Sequence, residues 1–452
     1  MIVLPNGWQW AQLGDLAAPA QIAITDGPFG SNLKTEHYTE SGPRVIRLQN
    51  VGDGVFNDAD KAHISVDHYD RLKKHEALAG DVVIAALGDV LPRACIVPEG
   101  IGAAIVKADC IRVRLGAAAD PRFIMWMLNA PPSREAAASL ISGVGRPRLN
   151  LAKIRSLRVP LPPIVEQRRI VEVVEEEFSR LAAAEASLAR TLRNLKRLRA
   201  ASIAAALVGN WPEVEFASII KSLRNGIFAS RPAKNPPGIP IFRISAVRPM
   251  QLDVEDVRYA LLPAEEAEGY FVEPGDLLFT RYSGNPSFVG ASAVVPRLVT
   301  PTLHPDKLIR VVVDHAKVRS EFVSLTLNNG IARKQIESRL KTTAGQVGIS
   351  GSQLRSVVLR LPPLATQQDI VEDISRKLSA YDAEMKGIDI ALRRSHQLRR
   401  AILETAFAGR LIPQDRSAGI APAGAILDAS VDATRRFRRN ETEVIGKAEV
   451  SV

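Results

Sequence analysis

Apolar residues recur at alternating steps of three and four in two long stretches of the chain. In the first they fall at Val171, Val174, Phe178, Leu181, Leu188, Leu192 and Leu195, with Glu185 interrupting the series. In the second they fall at Val371, Ile374, Leu378, Tyr381, Met385, Ile388 and Leu392 and, after breaks at Ser395 and Arg399, at Ile402. A period of about 3.5 places all these side chains on one stripe of a helix, so each stretch predicts a long amphipathic helix whose seam needs a partner. Both follow Leu-Pro-Pro, and proline suits a first helical turn, where an N–H has no intrahelical acceptor anyway. Both close on a glycine, Gly209 and Gly409, suited to a C-cap. A helix over residues 164–208 would be about 65–70 Å long.

The two stretches are copies. Leu161-Pro-Pro-Ile-Val-Glu-Gln-Arg-Arg-Ile-Val-Glu172 returns as Leu361-Pro-Pro-Leu-Ala-Thr-Gln-Gln-Asp-Ile-Val-Glu372, with Leu161, Pro162, Pro163, Gln167, Ile170, Val171 and Glu172 all recurring at an offset of 200. That offset is too long for a solenoid unit and predicts a duplicated half-protein. Two matched seams in one chain predict an intramolecular antiparallel coiled coil, rather than a lone solvent-exposed linker helix.

Ahead of each helix the period changes. In residues 1–160, Trp8, Trp10, Leu13 and Leu16 read as an anchoring segment and Thr25-Asp-Gly-Pro-Phe-Gly-Ser31 as a turn. The stretches 44–51 and 80–86 read as strands, 123–128 and 134–140 as helices, and 142–148 as a basic glycine-rich loop. Residues 210–360 retrace that order: Asn225-Gly-Ile-Phe-Ala-Ser230 answers the turn, 239–245 and 274–282 the strands, and 344–350 the loop. The expected fold is therefore α/β and pseudo-twofold: two globular domains (1–160 and 210–360) separated by two long helices (161–209 and 361–410). A tail, 411–452, follows, mobile from about 430 and carrying the basic cluster Arg435–Asn440. Shared landmarks with unlike surfaces between them suit two similar recognition modules aimed at different targets.

Composition narrows the class. A chain of 452 residues that is 46% hydrophobic and 24% charged has room for two to four ordinary cores. The net charge of +10 favours a polyanionic partner. Cys95 and Cys110 have neither metal-site nor disulfide-framework spacing and read as core residues of a cytoplasmic protein. No basic segment followed by an apolar run opens the chain, and no stretch approaches 18 apolar residues, so neither a signal peptide nor a membrane span is expected. Asn235-Pro-Pro-Gly238 approaches an adenine-methyltransferase motif, but glycine stands where an aromatic would stack on a flipped base, so it reads as a proline turn. No Walker-type Gly-Lys-Ser/Thr occurs. The histidines, His63 and His68 included, lack a metal-ligand context. The chain on its own is expected not to be an enzyme.

Arginine pairs bidentately with guanine, asparagine and glutamine pair with adenine, and lysine neutralises phosphate. On turns and glycine-rich loops the candidate DNA contacts are Lys34, Arg44, Arg93, Arg146 and Arg148 in the first domain. In the second they are Arg231, Lys234, Arg281, Tyr282, Asn285, Lys341 and Gln346.

The two Leu-Pro-Pro…Gln…Ile-Val-Glu helix starts, the Gly27–Ser31 turn, Gly80-Asp81 with Gly275-Asp276, and Ala408-Gly-Arg-Leu-Ile-Pro413 together resemble the specificity (S) subunit of type I restriction-modification systems. The resemblance covers nearly the whole chain, in the family's order of target-recognition domain, conserved helix, target-recognition domain, conserved helix. It implies a non-catalytic subunit bound to double-stranded DNA, each domain reading one half of an interrupted site and the helices fixing the gap. It also implies two methyltransferase subunits carrying S-adenosylmethionine, endonuclease-translocase subunits using ATP and Mg, and no cofactor in this chain. One added helical turn should move a domain by about 5.4 Å, one to two base-pair rises. The polar helix face with Glu175, Glu176, Arg190, Arg193 and Arg197 is a candidate docking face for methyltransferase helices. A coiled-coil adaptor between proteins, without DNA specificity, remains the alternative.

Overall fold

The computed structural model describes residues 4–412 apart from 6, 21, 142–146 and 344–345. The expected mobile tail and its basic cluster, and Arg146, lie outside the described residues. The chain divides into two compact units, one drawn from Met1–Leu188 with Ile390–Val452 and the other from Ala189–Asp389. Each unit therefore joins one globular domain to part of each long helix.

In the first unit a four-stranded antiparallel sheet runs in the order Ile24–Asp26, Cys110–Val113, Val82–Ala85, Arg93–Ile96. Its strand Val82–Ala85 is buried on both faces, and the period of two divides it. Val82 and Ile84 enter one core with Phe123, Ile124 and Leu128 of the helix Pro121–Asn129; Val83 and Ala85 enter another with Ile46, Cys95 and Cys110. The second unit repeats this order as Ile220–Asn225, Leu308–Val313, Leu277–Thr280, Ser292–Val294. Leu277 and Phe279 point into one core there and Leu278 into another. The helix pairs Pro121–Asn129 with Pro131–Ala138 and Ser320–Leu327 with Gly330–Ser338 also correspond. The domain duplication expected from scattered landmarks is thus a duplication of topology.

The Gly-Asp pairs are part of this scaffold. Gly80 and Gly275 both take a left-handed conformation, φ +87° and +91°. The aspartate that follows accepts the N–H three residues back (Leu78 to Asp81, 2.8 Å; Glu273 to Asp276, 2.7 Å) and is buried against an arginine, Arg114 or Arg310.

Some boundaries move. The strand expected at 44–51 is Tyr38–Ile46, and the chain then turns through a 3-10 stretch, Leu48–Asn50, because the buried Asn50 accepts the Arg47 N–H at 2.8 Å. Lys341 and Gln346 stand on the paired strands Lys341–Thr343 and Gln346–Gly348 rather than in a loop. Trp8, Leu13 and Leu16 are core residues, whereas Trp10 is more than a third exposed beneath Arg158.

The long helices are Ile164–Ala206 and Leu364–Phe407. What the repeat encodes at their start is a joint. Gln167 is fully buried: its Oε1 accepts the Asp120 N–H at 2.8 Å, and its Nε2 donates to Ala118 O at 3.0 Å and Pro162 O at 2.9 Å. Gln367 does the same with Arg319 N–H, Lys317 O and Pro362 O at 2.9, 3.1 and 2.8 Å.

The seam runs where the pattern put it. Val171, Val174, Phe178 and Leu181 are buried in the first unit with Leu403, Ala406 and Phe407; Ile374 and Leu378 are buried in the second with Ile203. Leu188, Leu192, Leu195, Val371, Tyr381, Met385 and Leu392 are half-buried, and Ile388 is buried. The interruptions find each other. Glu185 accepts from Ser395 Oγ at 2.6 Å and Arg399 Nη2 at 3.1 Å, and Arg399 also lies 5.1 Å over the Phe178 ring. Residue 178 meeting 399 while 185 meets 395 makes the pair antiparallel. In the second unit Ser202 meets Tyr381 at 3.0 Å and Arg199 meets Asp382 at 3.7 Å, again antiparallel.

The two helix ends differ. Gly409 caps its helix in the left-handed conformation, φ +67°, and the Arg410 N–H reaches back to Thr405 O at 2.9 Å. Gly209 is not left-handed; its helix has ended at Ala206, and the Gly209 backbone presses on the Trp211 indole, where an added Cβ would stand 2.4 Å from the ring.

Candidate nucleic-acid interface

In the second unit, segments far apart in sequence line one cleft of about 540 Å³. Phe228, Ala229 and Pro232 come from the turn after Ile220–Asn225. Arg243 and Arg248 come from the segment after the strand Ile239–Phe242, Arg258 from its partner Val257–Ala260, and Ser283, Gly284 and Phe288 from the short strand Tyr282–Ser283 and the turn that follows it. Pro305, Asp306 and Lys307 line it too, as does the Phe242 ring. Arg248 stacks on Phe288 at 4.6 Å, and Arg243 is paired with Asp256 at 2.9 Å. Four basic side chains and three phenylalanine rings, against Asp306 in the lining and Asp256 beside Arg243, suit a polyanion with planar bases.

The sequence candidates of this domain fall around that cleft. Arg231 and Lys234 are exposed on the turn that supplies Phe228, with Arg231 itself left-handed at φ +46°. Arg281 lies 4.8 Å over the Tyr282 ring, and Asn285 caps the short turn Pro286–Phe288 through Ser287 N–H. Tyr282 belongs to the three-stranded sheet Tyr282–Ser283, Gln346–Gly348, Lys341–Thr343, so the fold gathers Arg281, Tyr282, Lys341 and Gln346 at one place. Arg243, Arg248, Arg258 and Lys307 were not singled out by sequence, because they sit singly on short strands and their ends. The exposed phenylalanine of the matched turn was the one available signal.

The first unit treats its candidates unequally. Arg44 is buried, paired with Asp58 at 2.9 Å and bonded to Asp60 O. Hydrogen bonds from Arg44 and Lys61 hold the Asp58 carboxyl below its ordinary range. Arg93 is spent on Val51 O at 2.6 Å and Leu48 O at 3.2 Å. Both arginines hold their own domain together. Lys34 is exposed beside Glu36, and Arg148 is half-open, paired with Asp109 at 2.7 Å and stacked 5.1 Å over Phe29.

The remaining groups settle into structure. Cys95 and Cys110 are fully buried, and burial pushes the Cys95 thiol up to about 12 and the Cys110 thiol up as well, which removes nucleophilic thiolate. His63 bonds Gly42 O at 2.7 Å, and His68 bonds Asn32 O at 2.9 Å and stacks on His37. Asn235-Pro-Pro-Gly238 is an exposed stretch leading into the strand Ile239–Phe242. On the polar helix face, Glu175 is engaged by Arg122 and Trp126 and Glu176 by Arg180, while Arg190, Arg193 and Arg197 are exposed. Among the described residues no helix is long and apolar enough to cross a membrane.

Two like domains, each with its own surface and each pinned to a long helix of an antiparallel pair, define a tandem recognition protein. No family model matches the chain. It is 32% identical over 310 residues to the specificity subunit of the type I restriction enzyme EcoKI of Escherichia coli K12, a match covering 65% of this chain and 66% of that one. It is 24% identical over 439 residues to the StySPI specificity subunit of Salmonella potsdam, covering 92% and 91%. Among solved structures, the HsdS subunit of Thermoanaerobacter tengcongensis superposes with a TM-score of 0.57 at 20% identity, over 90% of this chain and 98% of that one. A chain from a structure on complex assembly and conformational transition of the type I R-M system reaches 0.71 at 18% identity, over 90% and 100%. The chain belongs to the specificity subunits of type I restriction enzymes.

Proposed function

We propose that this subunit supplies DNA sequence specificity to a cytoplasmic type I restriction-modification complex. Each domain reads one half of an interrupted site, and the helices set the gap. Two methyltransferase subunits carrying S-adenosylmethionine dock on the helices and methylate; endonuclease-translocase subunits using ATP and Mg cleave. The observation that carries this reading is the combination of one topology and one glutamine joint, used twice, with two unlike surfaces. A shared frame fixes position, and the side chains that differ between the two surfaces, Arg148 against Arg243, Arg248, Arg258 and Lys307, supply two specificities. The exposed Arg190, Arg193 and Arg197 are the available charges of the docking face.

The test is long-read methylome sequencing of the host with and without the gene. Loss of N6-methyladenine at one bipartite, interrupted motif is the expected result. An unchanged methylome, with the methyltransferase partner expressed, would instead favour the adaptor, which predicts DNA affinity that is weak and nearly independent of salt. Charge reversal at Arg190, Arg193 and Arg197 should weaken co-purification of the methyltransferase; full retention would remove that face from the docking surface.

A further inference from the structure

Most phenylalanines of this chain are buried or half-buried. Among those described, only Phe29 and Phe228 are exposed, at 42% and 73%. They occupy the same place in the two domains, the fourth residue of Asp26-Gly-Pro-Phe29 and of Asn225-Gly-Ile-Phe228. Neither ring is out by accident of a loose loop. The glycine two residues earlier is pressed onto backbone, so closely that a Cβ on Gly27 would stand 2.0 Å from the Lys107 carbonyl carbon and one on Gly226 would stand 2.1 Å from Pro305 O. The next residue, Pro28 or Ile227, is buried. Ile227 is held on both sides, its N–H to His304 O at 3.0 Å and its carbonyl from Asp306 N–H at 2.9 Å. An anchored residue followed by an outward ring is a built projection.

Charge says what the rings meet. The Arg148 guanidinium stacks on Phe29, and Phe228 stands at a cleft with Arg243, Arg248, Arg258 and Lys307, where Arg248 also stacks on Phe288. Aromatic faces and guanidinium planes among lysines and arginines are the composition of a platform on which bases stack. We propose that Phe29 and Phe228 are base-contacting residues, each inserting against a base step of the half-site its domain reads. This deepens the function proposed above and rests on it. The bases are held by stacking, which tolerates sequence, while neighbouring arginines and amides discriminate.

The experiment uses the full chain assembled with its methyltransferase partner and a duplex carrying the motif that the methylome identifies. F228A should weaken binding about ten- to a hundred-fold, with the slope of log affinity against log salt unchanged, whereas K307A should lower that slope by about one. F228Y should restore affinity, F228L only in part, and F29A should act likewise in the other half-site. With 2-aminopurine placed along the duplex, the wild-type complex should raise emission at one step that stays dark with F228A. F228A binding within two-fold of wild type would overturn the proposal while leaving the specificity role standing. F228A that impairs assembly with the methyltransferase but not DNA affinity would also overturn it and make the ring a protein contact. A wild-type complex that does not prefer the cognate duplex to a scrambled one would sink both.

Discussion

Replacing Glu185 measures what a carboxylate contributes to an otherwise apolar seam. Its side chain is 26% exposed and that of Arg399 29%, so both stay partly hydrated. At an effective dielectric of about 20, a pair about 4 Å apart attracts by roughly 4 kcal/mol before desolvation and screening. For half-open pairs those terms leave about 1 kcal/mol. Ser395 is buried, and losing the acceptor at 2.6 Å strands its hydroxyl, which adds about 1 kcal/mol. Glu185→Ala should therefore destabilise the first unit by about 2 kcal/mol in urea unfolding of the full chain. Converting Glu185, Ser395 and Arg399 together to leucine should leave stability unchanged or raise it by about 1–3 kcal/mol, since a packed apolar seam no longer carries the desolvation of the ions. The pH dependence has a definite sign. Burial alone would push the Glu185 carboxyl up, but hydrogen bonds from Ser395 and Arg399, with the Arg399 charge, bring it below its ordinary 4.5. The gap between wild type and Glu185→Ala should thus be full above pH 4.5 and close as the pH falls through the lower folded value. A loss beyond about 4 kcal/mol in Glu185→Ala, or a triple variant clearly less stable than wild type, would refute this reasoning by making the cluster a dry, essential ion pair.

Three further outcomes are expected. Gln167→Met keeps the volume but leaves Pro162 O buried and unpaired, with Asp120 N–H and Ala118 O partly open to water. A cost of roughly 2–4 kcal/mol should appear in the first unit's urea transition and leave the second unit's alone, and Gln367→Met should do the converse. His304 is buried, and desolvation lowers its imidazole from 6.5 to about 4, so the unfolded state binds more protons between those values. Stability of the second unit should fall by up to roughly 3 kcal/mol as pH drops from 6.5 to 4, and melting curves of His304→Asn should lose that slope. Gly226→Ala forces the turn off Pro305, so it should cut cognate-duplex binding in gel shifts about ten-fold or more while far-UV circular dichroism stays native; unchanged binding would show that the turn yields without moving Phe228.

Much of the fold was legible because helices advertise their period. The seam and its register stand where three-four spacing put them, and even its faults at Glu185, Ser395 and Arg399 prove complementary. Gln167 and Gln367 were visible as a repeat, but nothing in a sequence tells a buried amide from an exposed one. The basic candidates divide on the same ground. Arg231 and Lys234 are on the surface, whereas Arg44 and Arg93 are consumed by Asp58 and by backbone carbonyls that only folding brings near. Gly209 and Gly409 looked alike because they share an offset; one is a left-handed cap and the other a place where backbone meets Trp211. The cleft of Arg243, Arg248, Arg258 and Lys307 had no local signature beyond the phenylalanine of the matched turn, since its residues converge from five separate segments.

The glutamine joint has a consequence for how such a chain changes over time. What Gln167 grips in the domain before it is Asp120 N–H and Ala118 O; what Gln367 grips is Arg319 N–H and Lys317 O. All four are main-chain atoms, and the side chains at those positions, aspartate against arginine and alanine against lysine, have nothing in common. A domain can therefore drift, or be exchanged wholesale for an unrelated version, provided it brings its backbone to the same two points. The part that must stay constant is confined to the helix, and the part under pressure to vary is attached by a fastening that does not read its sequence.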